Sequence, residues 1–270
     1  MTFTMNGVGR RAIFALRKGL VPIVLATVVF CLVQLAMDYG VERAIYSGMG
    51  EAFVQDRGFG LLGYVVIGLS HLLRAMHTAA ISEIAIRTNI GKPVRPGQIM
   101  RGALVNGVPV LIFIVVFSVG CLLCGTVLLV PGLFFATVFS IVVPVFVAER
   151  GNVVGTFKRS FHLTEGHRWQ IFSLWLVLGV VVYLLSHAIS GLAPLSELRS
   201  LFPQLFPEGW LEDGEPLLHY DYDDPLVGSL FKAVTAIVIA LRVVLNTAIY
   251  LSLRVEKDAS AEANLAQVFE

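Results

Sequence analysis

Six stretches of this sequence are too long and too apolar to be enclosed by a water-soluble core, and they constrain the fold more than any other feature. They cover about residues 20–37, 61–86, 103–130, 132–148, 170–192 and 227–253. About 20 apolar residues, each rising 1.5 Å along a helix, are needed to cross a hydrocarbon layer roughly 30 Å thick. The 270 residues are 56% hydrophobic and only 14% charged, with a mean hydropathy of +0.79, whereas a soluble domain is about half apolar and about one quarter charged. A soluble enzyme is excluded on that basis. Lipid offers no hydrogen bonds to a spanning backbone, and the period-two alternation of a membrane barrel is absent, so each run is predicted to be a helix. The expected fold is all-α, a polytopic bundle of six transmembrane helices forming one integral membrane domain over residues 1–270.

The third and fourth runs are separated only by Pro131-Gly132, which predicts a tight turn between antiparallel helices. The fourth run is short, which leaves a re-entrant segment as the alternative. Arg10, Arg11, Arg17 and Lys18 precede the first run as they would in a signal peptide, but no small-residue cleavage site follows, so residues 20–37 read as a retained span. Cys31, Cys121 and Cys124 all fall in apolar runs, unlike a secreted disulfide framework. Cys121 and Cys124 have redox-motif spacing but no basic neighbour to lower a thiol pKa, and read as small buried hydrophobes.

Basic residues set the orientation. With the N-terminus inside, fourteen lysines and arginines fall on the cytoplasmic side: Arg10, Arg11, Arg17, Lys18, Arg87, Lys92, Arg95, Arg101, Arg150, Lys158, Arg159, Arg168, Arg254 and Lys257. The outer side receives Arg43, Arg57 and Arg199, together with acids that include Asp38, Glu42, Glu51 and Asp56 in the first outer loop and an acidic loop at 193–226. Both termini are therefore expected in the cytoplasm of a bacterium, the chain being a multi-pass protein of the cytoplasmic (inner) membrane. Trp169, Trp210 and Tyr250 read as interfacial anchors.

Ionisable groups within the runs are the strongest functional lead, because a charge at membrane depth is costly and usually faces the bundle interior or water. His71, Arg74 and His77 share one predicted face of the second run, the histidines lying about 60° to either side of the arginine. Arg242 and Asn246 share a stripe of the sixth. Arg74 and Arg242 both lie about 20 Å from the outer end of their spans. The acid nearest to them in the sequence of these runs, Glu83, is on the opposite face from Arg74 and better placed for Arg87 at i+4. Two readings follow. Each guanidinium locks helix packing through carbonyls, Asn106 or Asn246, or else Arg74, Arg242, His71, His77 and Asn246 hold an anion or a lipid phosphate, for which arginine's planar fork is suited.

Between the fourth and fifth runs, about residues 152–165 are predicted as a short cytoplasmic amphipathic helix lying on the inner leaflet, with Val153, Val154, Phe157 and Phe161 on one side and Lys158, Arg159 and His162 on another. Gly166 is expected to end it. Lys158, Arg159, Phe157 and Phe161 are the candidate membrane-surface residues. This stretch, with Pro131, Gly132, Pro144, Glu149, Gly151, Ser160, Leu163, Thr164, Gly166 and Trp169, and with Gly91-Lys92-Pro93 and Arg101 upstream, resembles the integral membrane domain found in some glycerophosphoryl diester phosphodiesterases and in stand-alone bacterial membrane proteins. The resemblance covers about residues 81–175. It implies a helical membrane fold and no chemistry, since hydrolysis in those phosphodiesterases belongs to a separate soluble barrel for which this chain has no segment.

Other motifs are weaker. The run from His219 to Asp224 gathers hard oxygen ligands but matches no calcium-loop spacing and reads as a solvated acidic loop. Leu201, Phe202, Leu205, Phe206 and Trp210 form an apolar cluster in the same loop, suited to the outer membrane surface. His162 and His167 have no serine or carboxylate constellation around them, and no phosphate-cradling glycine loop, zinc spacing or dinucleotide fingerprint occurs. The expected role is non-enzymatic, without catalytic residues, metal or cofactor: binding or organising anionic lipid, or supporting an envelope process. The alternative is a transporter or permease for an anionic small molecule or lipid, built on Arg74 and Arg242. Membrane lipids are the expected partners, with a second copy or an envelope protein as a further possibility and nucleic acid excluded.

Overall fold

The computed structural model describes residues 3–44, 61–127, 129–191 and 225–268. Among them the chain forms eight helices and no strand: α1 (Met5–Ala44), α2 (Leu61–Asn89), α3 (Pro96–Val127), α4 (Leu129–Phe139), α5 (Val142–Glu149), α6 (Val153–Thr164), α7 (Arg168–Gly191) and α8 (Pro225–Val268). Four helical segments among the described residues are long and apolar enough to cross a membrane, at Met5–Met37, Pro96–Cys121, Gly132–Glu149 and Ala233–Ala259. Their outward surfaces are apolar too: Leu20, Val21, Val24 and Leu25 along α1 and Leu104, Val105 and Val108 along α3 are all exposed. Such a surface is unfavourable in water and matched by lipid. The protein is a helical membrane protein.

Two compact units divide the chain, one of Met1–Phe172 with Ala236–Glu270 and one of Ser173–Thr235. In the first, α2 packs against α1, α3 and α5. A core of mainly small and β-branched side chains, including Ala15 and Ile23 of α1, Ile81, Ile84 and Ala85 of α2, Ile99 and Ala103 of α3 and Val243 and Val244 of α8, joins four helices. Association inside lipid depends on close packing rather than on expulsion of water, which favours such residues. Gly102 and Gly107 let α3 approach α2 closely: a Cβ at the first would displace the Glu83 carboxylate, and one at the second would meet the Met76 side chain. The α1–α2 contact also carries polar pairs one above another: Thr27 Oγ1 lies 3.2 Å from His77 Nε2, and Gln34 donates to Ser70 Oγ at 3.1 Å.

The expected turn at Pro131-Gly132 is corrected: both residues lie in the first turn of α4. Proline is tolerated there because the first turn has no intrahelical use for its missing N–H. A separate break falls within the fourth run at Ser140 and Ile141, between α4 and α5, because Pro144 has no N–H to offer the Ser140 carbonyl. Side chains satisfy groups around the break. Ser140 Oγ donates to the Thr137 carbonyl at 2.9 Å, and Ser160 Oγ of α6, fully buried, donates to the Val138 carbonyl at 2.8 Å. Asn152 caps α6 by accepting from Gly155 N at 2.7 Å, and Gly166, with φ +89°, turns the chain into α7.

Candidate functional site

The deep polar residues do not form the expected common face. His77 is 4% exposed and sits between α1 and α2, its ring stacked on Phe30 with centroids 4.5 Å apart. Thr27 donates its single hydroxyl proton to the Ile23 carbonyl at 2.9 Å, so His77 Nε2 is the donor in the Thr27 contact and Nδ1 is the bare nitrogen. His71 and Arg74 are exposed. The physical reason is angular: an arc about 120° wide cannot enter one helix interface whole, so its His77 edge is buried and the remainder faces outward. On α8, Asn246 is buried and Arg242 is exposed, within electrostatic range of Cys121 on α3. Neither Arg74 nor Arg242 is enclosed by the bundle.

The best-formed polar arrangement lies at one end of the bundle, where α5, α6 and the far part of α8 meet. The Glu149 carboxylate accepts from Tyr250 Oη at 3.1 Å and from Arg159 Nε at 3.3 Å. Arg159 also donates to Asp258 at 3.1 Å, Asp258 accepts from Arg254 Nε at 3.3 Å, and Arg254 donates to Tyr250 Oη at 3.3 Å, closing a ring. Burial works against the Arg159 charge, but hydrogen bonds and attraction from Asp258 and Glu149 outweigh it and hold the guanidinium above its ordinary pKa. Tyr250, expected at the lipid interface, is instead fully buried with its hydroxyl in this ring. Beside it, the Glu256 carboxylate accepts from the Phe3 backbone N–H at 2.9 Å and pairs with His167 at 3.2 Å, while the Phe3 and His167 rings lie 4.7 Å apart. The expected Glu83–Arg87 pair forms at 2.8 Å, and Arg87 extends to Gln98 at 3.0 Å.

These contacts leave a charge imbalance. Five acidic side chains are taken up by cationic or histidine partners: Glu83 by Arg87, Glu149 by Arg159, Glu165 by His162, Glu256 by His167, and Asp258 by Arg159 and Arg254. Lys92, Arg95, Arg101, Arg150 and Lys158 are exposed and have no acidic partner among the described residues.

Helix α6 is placed differently from the expected surface helix. Its buried face is Thr156, Ser160, Leu163 and Thr164, and Phe157 joins an aromatic cluster with Phe113 and Phe139 at 5.4 and 5.2 Å. Val154, Lys158 and Phe161 form the exposed stripe. Lys158 and Arg159, adjacent in sequence, thus part company: one points outward and the other is tied into the ring. At the α6–α7 corner the Arg168 guanidinium lies over Phe161 and Phe134, 4.4 and 5.0 Å from their ring centres. Among the described residues no three His, Cys, Asp or Glu side chains gather at metal-binding range. The segment from His219 to Asp224 and the apolar cluster around Trp210 lie outside the described residues.

From the sequence, Glu149 is named only as a residue of the loop, and Glu256, Asp258 and Phe3 are given no role. The available signal was acids placed immediately beyond apolar runs on the basic side of the chain. Compared with protein-family models, with curated proteins and with solved structures, the chain matches none.

Proposed function

We propose that the chain is a non-enzymatic protein of the bacterial cytoplasmic membrane, with six spans and both termini in the cytoplasm, that binds or organises anionic lipid through its basic end. The observation that carries this reading is the set of exposed cations Lys92, Arg95, Arg101, Arg150 and Lys158, which have no acidic partner among the described residues, while Glu83, Glu149, Glu165, Glu256 and Asp258 are each held by a partner within the chain. Each such cation near an anionic leaflet contributes about 1 kcal/mol of attraction, falling off within a Debye length of about 8 Å at physiological salt. The contact between Phe3 and Glu256 supports an even number of crossings, since it joins the beginning of α1 to the far part of α8.

A transporter built on Arg74 and Arg242 is the less favoured reading, because both residues are exposed and His77 faces α1. The test is the association of spin-labelled phosphatidylglycerol and phosphatidylcholine with the reconstituted protein. A larger motionally restricted fraction for the anionic lipid, shrinking as salt is raised, is the expected result. Equal fractions would reject the proposal.

A further inference from the structure

The α6–α7 corner combines three features that together fit one ligand. The Arg168 guanidinium carbon lies over the rings of Phe161 of α6 and Phe134 of α4, 4.4 and 5.0 Å from their centroids. Two aromatic rings within cation–π range hold a guanidinium in place and shield part of it, so its remaining N–H groups become its polar outlet. That edge has no carboxylate among the described residues. Arg168 Nε is buried without a hydrogen-bond partner, and the nearest acid in sequence, Glu165, is turned toward His162 at 3.6 Å. A buried donor left unpaired is costly, which marks the place of an acceptor that the chain does not supply.

The surroundings indicate what brings that acceptor. Trp169 is 84% exposed, Phe134 48% and Phe161 45%, so the arginine is rimmed by open aromatic surface, and Lys158 stands exposed beside Phe161 on the same helical stripe. His167, the preceding residue, is bound to Glu256 at the polar end of the bundle. A charged edge set in an exposed aromatic rim next to a polar end fits an amphiphile that brings an anion and apolar chains together. We infer that Arg168, clamped by Phe134 and Phe161 and assisted by Lys158, is a discrete binding site for the phosphate of one anionic phospholipid, whose acyl chains lie on the Trp169 rim. This rests on the reading of the basic end as lipid-binding and adds a stoichiometric site to it.

Native mass spectrometry of the full-length protein in non-ionic detergent, titrated with phosphatidylglycerol or phosphatidylcholine, tests the inference. One tight phosphatidylglycerol adduct is expected. Arg168→Gln should weaken it about tenfold or more, the loss of a charge-assisted bidentate contact, and Arg168→Lys should weaken it substantially because an ammonium cannot keep the planar stack. A double change of Lys92→Gln and Arg95→Gln should leave that first adduct unaltered, and inorganic phosphate should not displace it. Displacement by inorganic phosphate would overturn the assignment to lipid in favour of a soluble anion. Wild-type preference for phosphatidylglycerol with an unchanged first adduct in Arg168→Gln would overturn the site while leaving the broader reading intact. Absence of any wild-type preference would overturn both. If Arg168→Gln does not fold, Arg168→Lys carries the same decision.

Discussion

Lys158 and Arg159 are neighbours of the same charge, and the structure gives them opposite tasks. Arg159 has a side chain 31% exposed and holds Glu149 at 3.3 Å and Asp258 at 3.1 Å, partners that are 28% and 47% exposed. Partly exposed ion pairs contribute about 0.2–1 kcal/mol each after screening. Replacement by glutamine removes two of them and weakens the hold on Glu149, so Arg159→Gln should cost about 1–2 kcal/mol. Lys158→Gln, at an exposed site without an acidic partner, should change stability by less than about 0.5 kcal/mol. The two variants are compared by thermal unfolding in detergent, followed by tryptophan fluorescence, and by anionic-lipid association of the reconstituted protein. Arg159→Gln should lower the melting temperature and leave the lipid preference in place, whereas Lys158→Gln should leave the melting temperature in place and weaken the lipid preference by the share of one cation, about 1 kcal/mol. A double-mutant cycle of Arg159→Gln with Asp258→Asn should give a positive coupling of about 0.5 kcal/mol or more. Equal melting temperatures for the two single variants, with zero coupling, would refute the division of roles.

Two further outcomes follow from the packing. Ser160→Ala removes the fully buried donor to the Val138 carbonyl at the α4–α5 break and should cost about 1–2 kcal/mol in the same unfolding assay, because that carbonyl has no water to turn to. Gly102→Ala drives a methyl group into the Glu83 carboxylate between α2 and α3 and should cost about 1–3 kcal/mol, while Gly97→Ala, with nothing within 4 Å of the added carbon, should leave the melting temperature unaltered.

Much of the architecture was legible in the amino acids. Apolar length gave the helices and lipid as their solvent, and i,i+4 spacing gave the Glu83–Arg87 pair. Glycine at position 166 gave the end of α6, where φ is +89°. What was hidden depends on groups far apart in sequence. The turn between the third and fourth runs is expected at Pro131-Gly132, yet both residues sit in the first turn of α4, and the interruption at Ser140 and Ile141 falls within the fourth run: a proline looks the same in a sequence whether it sits harmlessly in a first turn or deprives an interior carbonyl, as Pro144 does. The buried face of α6 was assigned to its valines and phenylalanines, yet Ser160, Thr156 and Thr164 are more deeply buried than Val154 or Phe161. Ser160 is buried because it donates to the Val138 carbonyl beside the break, while Thr156 and Thr164 satisfy their hydroxyls on the Asn152 and Ser160 carbonyls; hydropathy periodicity carries no record of such bonds. The deep residues were grouped by helical angle alone, and angle cannot say which edge of an arc a neighbouring helix will cover. The ring around Glu149, Arg159 and Asp258 joins residues about 100 positions apart, beyond the reach of any local pattern.

The most direct test is the melting temperature of the protein in nanodiscs of pure phosphatidylcholine and of phosphatidylcholine mixed with phosphatidylglycerol, each at low and high salt. Ligand that binds the folded state raises its stability in proportion to occupancy, so the wild type should melt higher in the anionic discs, lose most of that gain in high salt, and lose it as well when Lys92, Arg95, Arg101, Arg150 and Lys158 are all changed to glutamine. Identical melting temperatures in the two lipids at low salt would contradict the account.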